Sequence, residues 1–250
     1  MKKINILGVN ISYATMKEAV DKALGFFSDG KNHVIYTPNS EIIYVGYQDD
    51  GFKDILNSAD LNTADGIGVV LASKILGLPL KERVAGYDFL HELIKNAAPL
   101  NKKVFLFGSK PGVADAAAEK LLSLYPGICI CGTRDGYFKE EESEQIAKEI
   151  SSLNPDIVFV CLGAPKQEKW IYKYKDIIGA SIIMGAGGSL DVLAGTVQRA
   201  PESWQKLGLE WAYRLVKEPW RIGRMMALPK FALTVLFKGR KYLKNSGEEK

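Results

Sequence analysis

Residues 59–88, ADLNTADGIGVVLASKILGLPLKERVAGYD, set a carboxylate and a guanidinium on either side of one helical stretch. Asp65 ends a short strand-like run, after which Ile67, Val70, Leu71 and Ile75 recur at helical spacing. Arg83 lies beyond that helix, just ahead of another that starts near Gly86. Such a pair suits a site that removes a proton at one end and holds an anion at the other. The residues alone leave a plainer alternative open, in which Asp65 caps the helix and Arg83 is a solvated loop residue.

Three more junctions carry polar groups where a strand gives way to a helix. Strand 33–36 runs into Thr37-Pro38-Asn39, where Pro38 holds Thr37 out of the α region and Asn39 is placed to cap the helix 40–48. Strand 156–162 leads into GAPKQE, and with Pro165 at the first helical position Gln167 falls in the first turn. Unpaired backbone N–H groups there favour an oxygen-rich ligand. Gln167 reads equally as a capping-box partner. Strand 181–184 opens into GAGGSLD, whose Gly187 and Gly188 let backbone approach a ligand closely while Asp191 begins the next helix. A fourth turn, GSKPG at 108–112, lacks the GxGxxG spacing of a dinucleotide site.

These junctions need an α/β frame. A β-hairpin at 4–11 and an amphipathic helix at 15–27 come first, and strands and helices then alternate through a strand at 103–107, a helix at 113–124, a strand at 128–131 and a charged helix at 140–153. That alternation predicts a Rossmann-like parallel sheet with helices on both faces, and ligands in such sheets sit at the carboxyl ends of the strands. We divide the chain into a core, 1–198, and a helical appendage, 199–250.

The 250 residues are ordinary for a globular enzyme at 47% apolar and 25% charged. The three cysteines, Cys129, Cys131 and Cys161, fall in apolar strand-like runs and read as core residues of a protein from a reducing compartment. The N-terminal apolar run is too short for a signal peptide, so a cytoplasmic protein is expected.

Charge is unevenly spread. Residues 199–250 hold twelve Lys or Arg against five Asp or Glu, whereas the rest of the chain is slightly acidic. Arg214, Lys217, Arg221 and Arg224 recur every three or four residues, forming one stripe if the helix carries through Pro219. Breaks are expected near Pro219 and Pro229. The apolar run 225–237 is too short to span a bilayer, and with Trp204, Trp211 and Trp220 nearby it reads as a helix lying on an anionic membrane surface. Nucleic acid is not expected as a partner, because the basic stripe is short and the core acidic. A core stripped of its tail would expose an apolar face and is expected to form homo-oligomers.

Taken together, TPN at 37–39, ADGIGVV at 64–70, LKERVAGYD at 80–88, LGAPKQE at 162–168, GAGGSLD at 185–191 and QRAPESWQKLGLEWAYRLVKEPWRIGR at 198–224 resemble the WecG/TagA/CpsF family of bacterial glycosyltransferases. No one motif carries the likeness, which rests on their number and order over nearly the whole chain. Within the family the wall teichoic acid branch is the nearest. The resemblance implies transfer of N-acetylmannosamine from its UDP sugar to undecaprenyl-diphosphate-linked N-acetylglucosamine, with inversion to a β-1,4 linkage, at the inner face of the cell membrane. It also implies that Thr37, Asn39, Arg83 and Gln167 surround the pocket of Asp65, and that Asp191 lies near the nucleotide.

Inverting transfer is a single displacement, needing one base and a positive group for the departing diphosphate. Asp65 is the candidate base. With no DxD motif and only His33 and His91, neither a metal nor a cofactor is expected, and Arg214, Arg221 and Arg224 are the natural source of positive charge. A transferase acting in another surface-polysaccharide pathway and a Rossmann-type oxidoreductase are the alternatives.

Overall fold

A computed structural model describes residues 1–243, apart from the side chains of Lys206, Arg221 and Arg224. Strands β1 (Lys3–Ile6) and β2 (Val9–Ser12) form an antiparallel hairpin that turns through Leu7 and Gly8. Six parallel strands follow, β3 (His33–Tyr36), β4 (Leu61–Asn62), β5 (Lys103–Gly108), β6 (Cys129–Arg134), β7 (Ile157–Cys161) and β8 (Ile182–Gly185). Their order is β4-β3-β8-β7-β5-β6.

Because successive strand residues point to opposite faces, the sheet sorts its apolar residues into two cores. Val34, Tyr36, Phe105, Phe107, Val158, Val160 and Ile183 face one way, against the helices Ser40–Gln48, Asp50–Asn57, Ser143–Ser152 and Lys166–Ile178. Ile35, Val104, Leu106, Ile157, Phe159, Ile182 and Met184 face the other, against Met16–Gly25, Gly86–Ala97 and Val113–Leu124. Runs such as IVFVC in β7, buried at every position, are apolar throughout because both faces are covered. Each large side chain buried in this way contributes about 1.5–3 kcal/mol. The fold is therefore the doubly wound parallel sheet that the alternation of elements predicts.

Local chemistry sets the element ends near the sheet's carboxyl edge. Asn39 caps the helix Ser40–Gln48, its side chain accepting from the Ile42 N–H at 3.0 Å. The helix Ile67–Ile75 begins instead at Gly66, whose φ of 89° is open to glycine and strained for other residues. Asp65 is thus no cap, and its carboxylate is not committed to the helix.

Several expectations need correction. Pro165 stands just before the helix Lys166–Ile178, not in its first position. The sixth strand runs on to Arg134, well past residue 131, because an edge strand pairs through its backbone and needs no apolar alternation. On that edge Cys129 is exposed and Cys131 half-buried, so only Cys161 of the three cysteines is a core residue. Residues 140–142 form a 3-10 turn, and the α-helix proper is Ser143–Ser152.

In the tail, the helix Glu210–Lys217 ends at Glu218, which precedes proline and leaves the α region at φ −129°, ψ 71°. The basic stripe therefore does not continue along one helix to Arg224. Pro229 breaks nothing, since it occupies the first turn of the helix Ala227–Lys238, where a missing N–H costs no intrahelical bond. Phe231 and Val235 of that helix are buried in the first core. Residues 244–250, the end of the tail region delimited from sequence, lie outside the described residues. Among the described residues no helix is long and apolar enough to cross a membrane.

Candidate active site

A cleft of about 510 Å³ opens at the carboxyl ends of β3, β4, β7 and β8. Thr37, Asn39, Asp65, Arg83, Gln167, Gly187, Gly188, Asp191 and Arg214 all line it. The side chains of Arg221 and Arg224 lie outside the described residues.

The β3 end contributes Thr37, buried, whose Oγ1 donates to the Gly185 carbonyl at 3.4 Å and so ties the ends of β3 and β8 together. Gly86 packs against this side chain so closely that a Cβ there would fall 2.8 Å from Thr37 Oγ1. The next helix start is thereby brought to the cleft wall. With Asn39 Oδ1 spent on its cap, the Asn39 NH2 group remains for the cleft.

Asp65 follows β4. Its backbone N–H donates to the Pro38 carbonyl at 3.3 Å, and the Val84 N–H donates to the Ala64 carbonyl at 3.0 Å, which draws the Arg83 loop beside it. Asp65 is half-buried, and desolvation pushes its carboxyl up to about 6, against the opposing pull of the Gly86 N–H and the Arg83 and Arg214 charges; Glu210 adds to the rise. A carboxylate poised there is ionised at neutral pH yet basic enough to accept a proton.

Gln167 is buried and does not close a capping box. Its Oε1 accepts from the Gly187 N–H at 3.1 Å, which links the start of the helix after β7 to the loop after β8, and its Nε2 donates to Glu168 Oε1 at 2.8 Å. Asp191 accepts from the Ser109 hydroxyl at 2.6 Å, joining β5 to the glycine loop. Space at that loop is tight, since a Cβ on Gly188 would lie 3.3 Å from Arg214 Nη2.

The tail closes one side. Arg83 pairs with Glu210, and Arg199 reaches the same carboxylate at 3.4 Å while gripping Asp88 through two bonds of 2.6 and 2.7 Å. The Arg199 guanidinium also lies 4.7 Å over the Tyr87 ring. Among the described residues no group of three or more His, Cys, Asp or Glu is arranged to hold a metal ion.

The family model described as glycosyl transferase WecG/TagA/CpsF matches residues 4–245, nearly the whole chain. This chain belongs to that glycosyltransferase family. Among its relatives is an N-acetylglucosaminyldiphosphoundecaprenol N-acetyl-beta-D-mannosaminyltransferase of Bacillus subtilis, 44% identical over 81% of this chain and 78% of the relative. A protein of the same name from Staphylococcus aureus is 37% identical over 97% of this chain and 95% of its own.

Two cleft-lining residues of this glycosyltransferase, Arg199 and Glu210, and two that bond to the lining, Asp88 and Ser109, escape a reading of the sequence. Arg199 and Asp88 lie within motifs of the family resemblance, but nothing local marks them as partners 111 residues apart. Glu210 enters the tail count only as an offset to positive charge. Ser109 sits in GSKPG with φ at 61°, a conformation costly for serine, and that turn carries the signal by which it is recognised.

Proposed function

We propose that this glycosyltransferase moves N-acetylmannosamine from UDP-N-acetylmannosamine to N-acetylglucosaminyl-diphospho-undecaprenol; the acceptor and the transferred sugar are those named for its relatives, and the UDP donor is part of the proposal. In this reading the acceptor hydroxyl attacks C1 of the donor sugar, the C1–O bond to UDP breaks, and the hydroxyl proton passes to Asp65. A one-step displacement inverts the anomeric centre and yields the β linkage. Thr37, Asn39 and Gln167 hold the reacting sugars, and Arg83 faces the diphosphate. Gly187, Gly188 and Asp191 receive the nucleotide, and Arg214 neutralises the leaving diphosphate in place of a metal.

The observation that supports this most is the desolvated carboxyl of Asp65 in a cleft that also holds Arg83 and Arg214. A base near its own pKa gains from proximity to the acceptor, and fixed guanidinium groups stabilise the charge that develops on the diphosphate. The test is turnover with a panel of UDP sugars and a short-chain lipid-diphosphate N-acetylglucosamine acceptor, with and without EDTA. Product from UDP-N-acetylmannosamine alone, unchanged by chelation, is expected. Product from another donor, or loss on chelation, overturns the corresponding part.

The tail supports a second element, peripheral attachment to an anionic membrane face. Val216, Trp220, Ile222, Leu233, Leu236 and Phe237 are exposed, Phe237 to 82%, beside the exposed Lys217, Lys230 and Lys238. Apolar side chains with basic neighbours suit the interface of a bilayer, where a lipid-linked acceptor presents its sugar. The same tail lines the cleft through Glu210, Trp211 and Arg214, so attachment and closure of the site are one event in this reading.

A further inference from the structure

Glu168, next to Gln167, has no role in the scheme above, yet it is 1% exposed. A carboxyl so deeply buried is costly unless it is well used. Its Oε1 accepts the 2.8 Å bond from Gln167 Nε2, and its Oε2 has no hydrogen-bond partner. Burial pushes this carboxyl up to about 7, so it is largely neutral on the acid side of that pH. Its backbone carbonyl accepts from the Tyr36 hydroxyl at 3.1 Å, which locks the start of the helix Lys166–Ile178 against β3.

The consequence falls on Gln167. An amide side chain has a donor end and an acceptor end of nearly the same shape, and its neighbours decide which way round it sits. The Gly187 N–H requires the oxygen on its side, and Glu168 Oε1 requires the NH2 on the other. A flipped amide would set donor against donor and acceptor against acceptor. One Nε2 hydrogen is then left over at a residue that lines the cleft.

We propose that Glu168 is a positioning residue that fixes the Gln167 amide, so that Gln167 meets the bound donor as a hydrogen-bond donor and selects a ligand oxygen there, such as an acetamido carbonyl or a phosphate oxygen. The inference rests on the reading of Gln167 as a substrate contact. An acceptor at position 168 is what the arrangement needs, and a negative charge is not. Glu168→Gln supplies that acceptor and resembles the neutral acid. Glu168→Met keeps the volume and removes it.

The experiment is a double-mutant cycle on kcat/KM with UDP-N-acetylmannosamine, with circular dichroism checking each variant's fold. Glu168→Met is expected to lose about tenfold or more, the scale of one well-placed hydrogen bond, and Glu168→Gln to stay within about threefold of the parent chain. In a Gln167→Ala background the Glu168→Met loss is expected to vanish, because its route is gone. A Glu168→Met loss that persists undiminished in that background overturns the inference, as does a tenfold loss in Glu168→Gln, which decides alone if Glu168→Met does not fold. Wild-type turnover in Gln167→Ala would instead overturn the reading of Gln167 itself.

Discussion

Glu210 of the tail and Arg83 of the core form an ion pair at the wall of the cleft, with both side chains largely shielded from water. A guanidinium expected to meet an anionic substrate is thus held by an internal carboxylate. The pair also acts on Asp65, whose carboxyl Glu210 drives upward and Arg83 draws downward.

That opposition predicts two shifts of opposite sign. In Glu210→Gln the acid limb of the kcat/KM profile moves to lower pH, because a negative neighbour of Asp65 is gone. In Arg83→Gln it moves to higher pH. Profiles taken between pH 4 and 9 measure both, and a common direction of shift would refute the assignment of that limb to Asp65.

Freeing Arg83 also leaves a guanidinium for a phosphate group. Glu210→Gln is expected to bind UDP more tightly, by about threefold to tenfold, as read by calorimetry. Weaker binding would show that Glu210 orients Arg83 and does not compete for it.

Asp65→Asn is expected to lower turnover by about a hundredfold or more and to make the fold more stable. The sign follows from the raised value. A carboxyl titrating near 6 when folded, and at an ordinary Asp value when unfolded, favours folding most at low pH. That contribution fades as pH rises through 6, where the carboxyl must ionise inside the protein. Above pH 7 the parent chain bears this cost and the amide does not, a difference of up to about 3 kcal/mol, or several degrees in Tm. Melting curves at pH 5 and pH 8 check it, since the gain must be larger at pH 8.

Attachment to membranes is read by cosedimentation with vesicles containing anionic lipid. Trp220→Ser with Phe237→Ser is expected to cut binding about tenfold or more, in line with two large exposed apolar side chains. Raising the salt should weaken the parent's binding further. Equal binding to neutral vesicles would remove the electrostatic half of the reading.

Much of the frame was legible in the chain because its signals are local. The helix Val113–Leu124 is bounded where the glycine turn and the apolar spacing put it, and Asn39 caps the helix that follows Pro38. Apolar strands buried on both faces announce a covered sheet. Where contacts span long stretches of chain, the sequence is silent. Nothing near Asp191 indicates that Ser109 will hold it, and nothing near Glu210 indicates Arg83. The sixth strand runs longer than its apolar residues indicate because an edge strand's backbone pairing leaves little mark on its side chains, whereas the break expected near Pro219 is where the helix ends, at Glu218, and it divides the basic stripe.

Arg199, fastened to Asp88, and the helix Ala227–Lys238, anchored by Phe231 and Val235, hold the intervening chain at both ends. A segment pinned in this way cannot swing clear like a door on one hinge. A bow between those two moorings would admit substrate without releasing the tail from the body, and it would carry Trp204, Trp211 and Trp220 along with it.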